Sequence, residues 1–351
     1  MSKAVRVAVL GLGRLGTIHL ENLIETGKNV VVQHIVDPIE TLAKEKAEKY
    51  GIPSWSTDPK VACMDPNVDA VIITTPTQTH AELVTLAAQN KKHIFVEKPI
   101  TNSLEEVDEV LKAINENNVL CQVGFMRRFH PKFMQAKQQI VAGKIGKPVY
   151  FKGFTRDNPP DKYPISPKSD FLVKSGGIFR DLAIHDFDLA RFLMGSDVVS
   201  VRSSGKIVMN PSMAAYGDID QASIYLEFAS GAVGDIESSR NSPYGFDSGC
   251  EIIGTEGAIQ IPTIRDQELT VLDIKGTHDL GTIFPSSLSQ AFATEINAFI
   301  QAVLEGKATL CTEHDGVAAL QIAVAADKSF KTNAQIELDK ETVMNLRNKM
   351  V

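Results

Sequence analysis

The feature that most constrains this chain is Gly11-Leu12-Gly13-Arg14-Leu15-Gly16, set between an apolar run, Val5–Leu10, and a helical stretch near Thr17–Thr26. A GxGxxG alone is weak evidence, but one that ends a strand and opens a helix has the context in which the pattern carries a mechanism. Gly11 serves the tight turn, Gly13 lets the backbone approach a pyrophosphate, and Gly16 lets helix and strand pack closely. The first helical turn then presents its N–H groups to the phosphates. A chain that begins this way is expected to continue as strands and helices alternating around a parallel sheet.

Further apolar runs follow at Val30–Val36, Ala70–Thr74, His93–Val96 and Val119–Phe125. Helical stretches at Ile39–Tyr50, Ala81–Gln89 and Leu104–Asn115 lie among them. The alternation predicts a parallel sheet covered on both faces. Asp37 ends the second run, 21 residues after Gly16. An acidic side chain there accepts hydrogen bonds from the adenosine ribose hydroxyls and repels a 2′-phosphate. The next residues are Pro38, Ile39 and Glu40, none of them basic. NAD is therefore expected over NADP, with Leu12, Arg14 and Leu15 completing its loop.

Thr74-Thr75-Pro76-Thr77 follows the third run, at the carboxyl end of a strand, where open parallel sheets bind ligands. Thr75, Pro76 and Thr77 are expected along the cofactor's path. His80, at a helix start, reads equally well as structural or as a cofactor contact. Glu97-Lys98-Pro99 closes the fourth run, and Glu97 and Lys98 are placed with the cofactor contacts. A lysine at the end of an inner strand is expected to be fixed and partly buried. Burial lowers a lysine pKa, and a nearby ammonium lowers that of a substrate hydroxyl.

The pattern changes after about residue 145. Ala222, Ile224, Leu226 and Phe228 alternate with Ser223, Tyr225 and Glu227, the period of a half-exposed strand. Val149–Thr155, Val198–Val208, Ala232–Glu237, Ala258–Ile261 and Leu269–Ile274 read as further strands, with helices at 178–194, 286–305 and 315–330. The expected fold is an α/β N-terminal Rossmann domain, 1–125, followed by an α+β C-terminal domain, 126–351, with a largely antiparallel open sheet. The second domain is expected to bind substrate and to oligomerise through the exposed faces of strands such as Ala222–Phe228. The proline-rich stretch Asn158–Pro167 reads as an ordered loop, and loops carry function.

Composition excludes several classes. At 351 residues the chain suits two domains rather than one core. A net charge of −7 argues against a nucleic-acid partner. The four cysteines, at 63, 121, 250 and 311, form no CxxC pair and no zinc spacing, so no metal site is expected. They read as free thiols in a reducing cytosol. No apolar run approaches the roughly 18 residues of a membrane span, and no signal-peptide pattern opens the chain. A cytoplasmic protein is expected.

The chemistry concentrates on the helix at 178–194. Asp181, His185 and Asp188 are spaced i, i+4, i+7 and share one face. Leu182, Ala183, Ile184, Phe187, Leu189, Ala190, Phe192 and Leu193 make the rest apolar. Such a polar stripe faces a cleft or, as the alternative, is a solvated face with Asp–His pairs. In a cleft, the carboxylates orient the imidazole and tune its basicity. His185 then suits the base that removes a carbinol proton, with Lys98 stabilising developing alkoxide and Asp181 holding the ring.

Taken together, GLGRLGTIHLENL, TTPTQTHAELV, VEKP, VGFMRRFHP, SGGIFRDLAIHDFDLARFLMG and EIIGTEGAIQIP resemble the Gfo/Idh/MocA oxidoreductase family over nearly the whole chain. The resemblance implies a catalytic triad of Lys98, Asp181 and His185. MRRF followed by TRDN looks most like the inositol dehydrogenases, which implies oxidation of a ring secondary alcohol of a cyclic polyol, myo- or scyllo-inositol, to the ketone. It further implies that Arg128, Asn158 and Tyr244 reach the substrate hydroxyls, with Tyr163 a looser candidate, and that the chain assembles as a homotetramer. The stretch 157–175 leaves the inositol stereoisomer open. Two other readings stand beside this one: a sugar (aldose) dehydrogenase of the same family, and a non-catalytic NAD(P)-binding regulator. The retained lysine and histidine oppose the second.

Overall fold

Six parallel strands make the first sheet, in the order β3-β2-β1-β4-β5-β6. They are β1 (Val5–Leu10), β2 (Val30–Val36), β3 (Ser54–Ser56), β4 (Ala70–Ile73), β5 (His93–Glu97) and β6 (Cys121–Gly124). The chain is described by a computed structural model over residues 4–27, 29–159, 175–262, 270–273, 276–279 and 288–338. Every residue of β4 is buried, which explains its unbroken apolar run: a strand covered on both faces has no polar alternation to display. The helices are α1 (Arg14–Thr26), α2 (Glu40–Tyr50), α3 (Pro59–Met64), α4 (His80–Gln89) and α5 (Val107–Asn117). Gly51 closes α2 in the left-handed conformation, φ 66°, with its N–H on the carbonyls of Ala47 and Glu48, as glycine does beyond a helix end.

One helix of this unit comes from far along the chain. The first compact unit is Met1–Phe129 with Gln290–Val317. From the Ser289–Glu305 helix, Ile296, Phe299 and Ile300 enter the same core as Val7, Val9, Ile35, Ile72 and Phe95. The boundary expected at residue 125 thus omits a late segment. Helical periodicity reveals an apolar face but not the core it covers, so the sequence left this helix with its neighbours.

The second unit is His130–Ser289 with Ala318–Val351. Its sheet runs β12-β11-β7-β10-β9-β8-β15, from β7 (Pro148–Arg156), β8 (Val198–Lys206), β9 (Gln221–Phe228), β10 (Val233–Ser239), β11 (Asp247–Gly254), β12 (Ala258–Ile261) and β15 (Ile336–Glu337). Only β7 and β10 pair in parallel; the other pairs are antiparallel. The alternation in β9 is as expected: Ala222, Ile224, Leu226 and Phe228 are buried, while Ser223 and Tyr225 are exposed. Helices cover the buried face. The Ser203 hydroxyl donates to the Ala326 carbonyl of the Glu313–Thr332 helix at 2.6 Å, and the Thr155 hydroxyl donates to Asp186 of the Ile184–Met194 helix at 2.6 Å.

β13 (Thr270–Asp273) and β14 (Gly276–Asp279) form a separate antiparallel pair. Several elements escaped the sequence reading, three of them for clear reasons. Strand β3 is a three-residue edge strand, Ser-Trp-Ser, too short to show a period. Strand β11 carries Asp247, Gly249 and Glu251, which hide its pattern. The Pro131–Val141 helix starts at a His130 cap, whose ring nitrogen accepts from the Lys132 N–H. Among the described residues no helix is long and apolar enough to cross a membrane.

Candidate active site

In the first unit the site begins where β1 ends. The three glycines of the loop are required for three different reasons. Gly11 has φ +92°, and a Cβ on it would lie 3.0 Å from the Thr74 carbonyl oxygen. A Cβ on Gly16 would lie 2.0 Å from the Gly11 oxygen and 2.6 Å from the Thr74 hydroxyl. Gly13 is the opposite case: a Cβ there would meet nothing within 4 Å. Gly13 is also the N-cap of α1, no side chain caps the helix, and no acidic residue sits in its first turn. Gly13 and Arg14 are exposed, so the N-terminus of α1 lies on the open side of the loop, where its dipole favours an anion.

Asp37 is fixed rather than mobile. Its Oδ2 accepts from the Leu12 N–H at 2.8 Å and its Oδ1 from the Ile39 N–H at 2.9 Å. The carboxylate at the end of β2 thus braces the glycine loop from below and keeps a negative charge beside it. Each oxygen retains acceptor capacity. An exposed N-terminus with open space at Gly13, next to a fixed carboxylate, fits the pyrophosphate and ribose of a dinucleotide.

The turn after β4 is a web of short bonds. The Thr74 hydroxyl donates to the carbonyls of Leu10 and Gly11, tying β4 to the glycine loop. The Thr75 and Thr79 hydroxyls pair at 2.7 Å. Pro76 is exposed and Thr77 half-buried. His80 is buried, with Nδ1 2.7 Å from the Pro99 carbonyl and Nε2 2.9 Å from the Thr75 carbonyl. Both ring nitrogens therefore face the protein's own main chain, and His80 joins the turn after β4 to the turn after β5. Burial pushes its pKa down, against the pull of the two carbonyls. Of the two readings the sequence left open, this geometry favours the structural one.

Glu97 ends β5 and pairs with His19 of α1 at 2.8 Å, both buried. His19 in turn packs edge-on against Phe95 and Phe292. Glu97 thus anchors the strand end from which the half-buried Lys98 departs. Arg128 follows β6, buried, with its guanidinium on Asp315 through two contacts at 2.9 and 3.1 Å and on the Leu310 carbonyl at 3.0 Å. These bonds commit Arg128 to the framework of its own unit.

In the second unit the helix that carries Asp181 and His185 is not α-helical throughout. Phe179–Ala183 is a π turn, running into the α-helix Ile184–Met194. Such turns recur at functional sites. In an α-helix, positions i and i+4 overshoot a full turn by about 40°. The wider π turn advances less per residue, so Asp181 and His185 come closer to eclipsing. Burial argues against the solvated-face alternative: His185 is 8% exposed and Asp188 1%, while Asp181 is half-buried.

Around this helix the ends of β7, β9 and β10 converge. Asp157 donates its N–H to the Ser239 carbonyl, and its own carbonyl accepts from the Ser242 N–H. Asn158 Nδ2 donates to the Ser242 carbonyl at 3.3 Å, while its buried Oδ1 has no hydrogen-bond partner among the described residues. That leaves a buried acceptor for a ligand hydroxyl, since such groups are seldom left unsatisfied. Tyr244 is 55% exposed and its hydroxyl donates to Asp247 at 3.3 Å. Tyr163 lies outside the described residues.

The sequence reading missed Arg240. It is buried, with a terminal nitrogen 3.1 Å from Asp181 Oδ2 and Nε 3.8 Å from Asp218 Oδ2. No periodic or spacing signal points to it, because it follows β10 directly and its partners lie 59 and 22 positions away, at 181 and 218.

With this geometry in view, comparisons place the chain among known proteins. Residues 5–125 match the NAD-binding Rossmann fold of the Gfo/Idh/MocA oxidoreductase family, and residues 137–338 match its C-terminal alpha/beta domain. The scyllo-inositol 2-dehydrogenase (NAD(+)) of Bacillus subtilis (strain 168) is 46% identical over 340 residues, covering 97% of this chain and 98% of that protein. The myo-inositol 2-dehydrogenase of Thermotoga maritima is 36% identical, covering 96% and 99%. A scyllo-inositol dehydrogenase of Lactobacillus casei, solved with bound NAD(H) and scyllo-inositol, superposes with a TM-score of 0.88 at 27% identity, covering 95% of this chain and 99% of that one. The chain belongs to the Gfo/Idh/MocA oxidoreductase family.

Proposed function

We propose that this protein is an NAD-dependent inositol 2-dehydrogenase, which oxidises a ring secondary alcohol of myo- or scyllo-inositol reversibly to the inosose. The observation that carries the reading is the 46% identity, along nearly the whole of both chains, to a scyllo-inositol 2-dehydrogenase. When bound, NAD supplies the hydride acceptor. The chain's own residues do the rest. The N-terminus of α1 and the space at Gly13 receive the pyrophosphate, and Asp37 accepts from the ribose hydroxyls. His185 takes the carbinol proton as general base, and Asp181 orients its imidazole. Lys98, an ammonium at the end of β5, stabilises the alkoxide as it develops. Asn158, with its open buried acceptor, receives a substrate hydroxyl, and Tyr244 and Tyr163 are assigned to the same substrate.

Arg128 is retained as a substrate residue only through the shape its ion pair with Asp315 gives to the loop after β6. The assembly is assigned as a cytoplasmic homotetramer, built on the outward face of the second sheet. There Tyr225 and Ile253 are exposed hydrophobic groups, among charged neighbours such as Lys152 and Asp235 on the strands they pair with. The test is NAD reduction against a panel of inositol isomers and aldoses. Turnover of myo- or scyllo-inositol well above the aldoses is expected. Turnover confined to aldoses, or none with any polyol, refutes the assignment.

A further inference from the structure

Arg240 is charged and buried beside an acid–base pair, and the fold takes several steps to hold it there. Its main-chain N–H donates to the Asp220 carbonyl at 2.8 Å, which fixes the start of the segment after β10. Its guanidinium then reaches Asp181 on one side and Asp218 on the other. Asp218 is itself held: its Oδ1 accepts from the N–H groups of Ile178 at 3.0 Å and Ile219 at 2.8 Å. Ile178 immediately precedes the π turn, so Asp218 grips the start of the very helix that carries Asp181. A Cβ on Gly177 would lie 3.0 Å from that Asp218 oxygen, and Gly177 has φ +80°. Glycine there permits the close approach. Helix start, Asp218, Arg240 and Asp181 therefore form one closed frame.

A buried guanidinium is costly unless it is paired, and this one is paired with a group assigned to catalysis. We propose that Arg240 is a positioning residue for the acid–base pair: bridging Asp218 and Asp181, its guanidinium keeps the Asp181 carboxylate charged and fixed one helical turn before His185. The inference rests on the assignment of Asp181 and His185 made above. Its chemical consequence follows from charge. A lone half-buried carboxylate one turn before His185 would hold the proton on the imidazole and spoil it as a base near neutral pH. A positive charge on the far side of that carboxylate weakens this pull while preserving the orientation. Among the described residues of this unit, the charged groups near the pair include Arg180, Asp186 and Asp188 on the same helix, Asp157 after β7 and Asp218 before β9. Of these, Asp186 is occupied by the Thr155 hydroxyl. Burial works against the charge of Arg240, but Asp181 and Asp218 outweigh it and keep the guanidinium charged.

The experiment compares Arg240→Gln, Arg240→Lys, Asp181→Asn, the double variant Arg240→Gln/Asp181→Asn and His185→Ala, each by kcat, KM for NAD and the pH profile. Arg240→Gln is expected to lower kcat by about 10–100-fold, a part of what a positioned acid–base group supplies. KM for NAD should stay within about twofold. The pH at which kcat/KM rises should move upward by about one unit, because His185 keeps its proton longer. Arg240→Lys should restore the position of the rise in part. In the Asp181→Asn background, Arg240→Gln should cost almost nothing, the non-additivity of groups acting as a unit. If Arg240→Gln does not fold, Arg240→Gln/Asp218→Asn, which removes the guanidinium together with the buried Asp218 charge and leaves Asp181, should fold and show the same upward shift. A folded Arg240→Gln enzyme with wild-type kcat and pH profile overturns the inference, as does a full loss that persists in the Asp181→Asn background. If His185→Ala is nearly inactive in either of those cases, only the role of Arg240 falls. If His185→Ala keeps near-normal turnover, the base assignment falls and the Arg240 inference falls with it.

Discussion

Replacing Gly13 and Gly16 one at a time by alanine should give opposite failures, although both carry the same motif. At Gly16 the added Cβ would sit 2.0 Å from the Gly11 oxygen and 2.9 Å from its carbonyl carbon. Both are backbone atoms, held by the Gly11 N–H bond to Val36 and by the Thr74 hydroxyl. A methyl group needs more than an ångström of additional room, and β1 or α1 must shift to give it. Overpacking of this kind costs about 1–3 kcal/mol and more where backbone must move, so Gly16→Ala should lose about 3 kcal/mol of stability or fail to fold. At Gly13 the added Cβ meets nothing within 4 Å, and φ −64°, ψ −163° is open to any residue. The apo protein should lose less than about 1 kcal/mol, the difference between glycine and alanine at a helix N-cap. The methyl group instead fills the space where a phosphate approaches the N–H groups of α1. Loss of one hydrogen bond to a charged group is worth about 1.5–3 kcal/mol, which corresponds to a Kd for NAD raised roughly 10–150-fold. Chemical denaturation of the apo proteins and calorimetric titration with NAD separate the two effects. A Gly13→Ala protein that binds NAD like wild type would refute the assignment of this space to the cofactor. A Gly16→Ala protein of wild-type stability would refute the packing argument.

Asp37 sets a second expectation: wild type should reduce NAD in preference to NADP, and Asp37→Ala combined with Pro38→Arg should relax the preference. Equal efficiency of wild type with both cofactors, measured as kcat/KM, would contradict the role given to the carboxylate. Acid stability is the third. Burial lowers the pKa of His34, His80 and His93 in the folded state, so the unfolded chain binds protons more readily. Stability from these groups is full above their ordinary pKa near 6.5 and is lost as pH falls toward the folded values. Denaturation midpoints should drop between pH 7.5 and 5.5, and the drop should shrink in His80→Gln; an unchanged slope in that variant would show that His80 contributes nothing. Light scattering at micromolar concentration should report a tetramer, and a monomer there would remove the outward sheet face from the account of assembly.

What could be read from the sequence was whatever is local. The glycine loop, the strand ends at Asp37 and Lys98 and the polar positions of the 178–194 helix each announce themselves within a few residues, because turn geometry and helical spacing are properties of short segments. What escaped was whatever depends on a partner far away. The Ser289–Glu305 helix was recognisable as a helix, yet only the packed core assigns it to the first unit. Arg128 looks like any basic residue in MRRF until Asp315, 187 positions later, accepts its guanidinium. The π turn is a third case, since residues Phe179–Ala183 have nothing in their composition that an α-helix would refuse. Arg240 belongs with these. A sequence places it in a loop after a strand, where an arginine ordinarily faces water. Burial between Asp181 and Asp218 reverses that expectation, because a charge kept out of water must be held by groups the fold has brought to it. The residues that carry the proposed chemistry were therefore legible one by one, whereas the environment that sets their charge states was not. The pH profile of the Arg240 variants tests that environment directly.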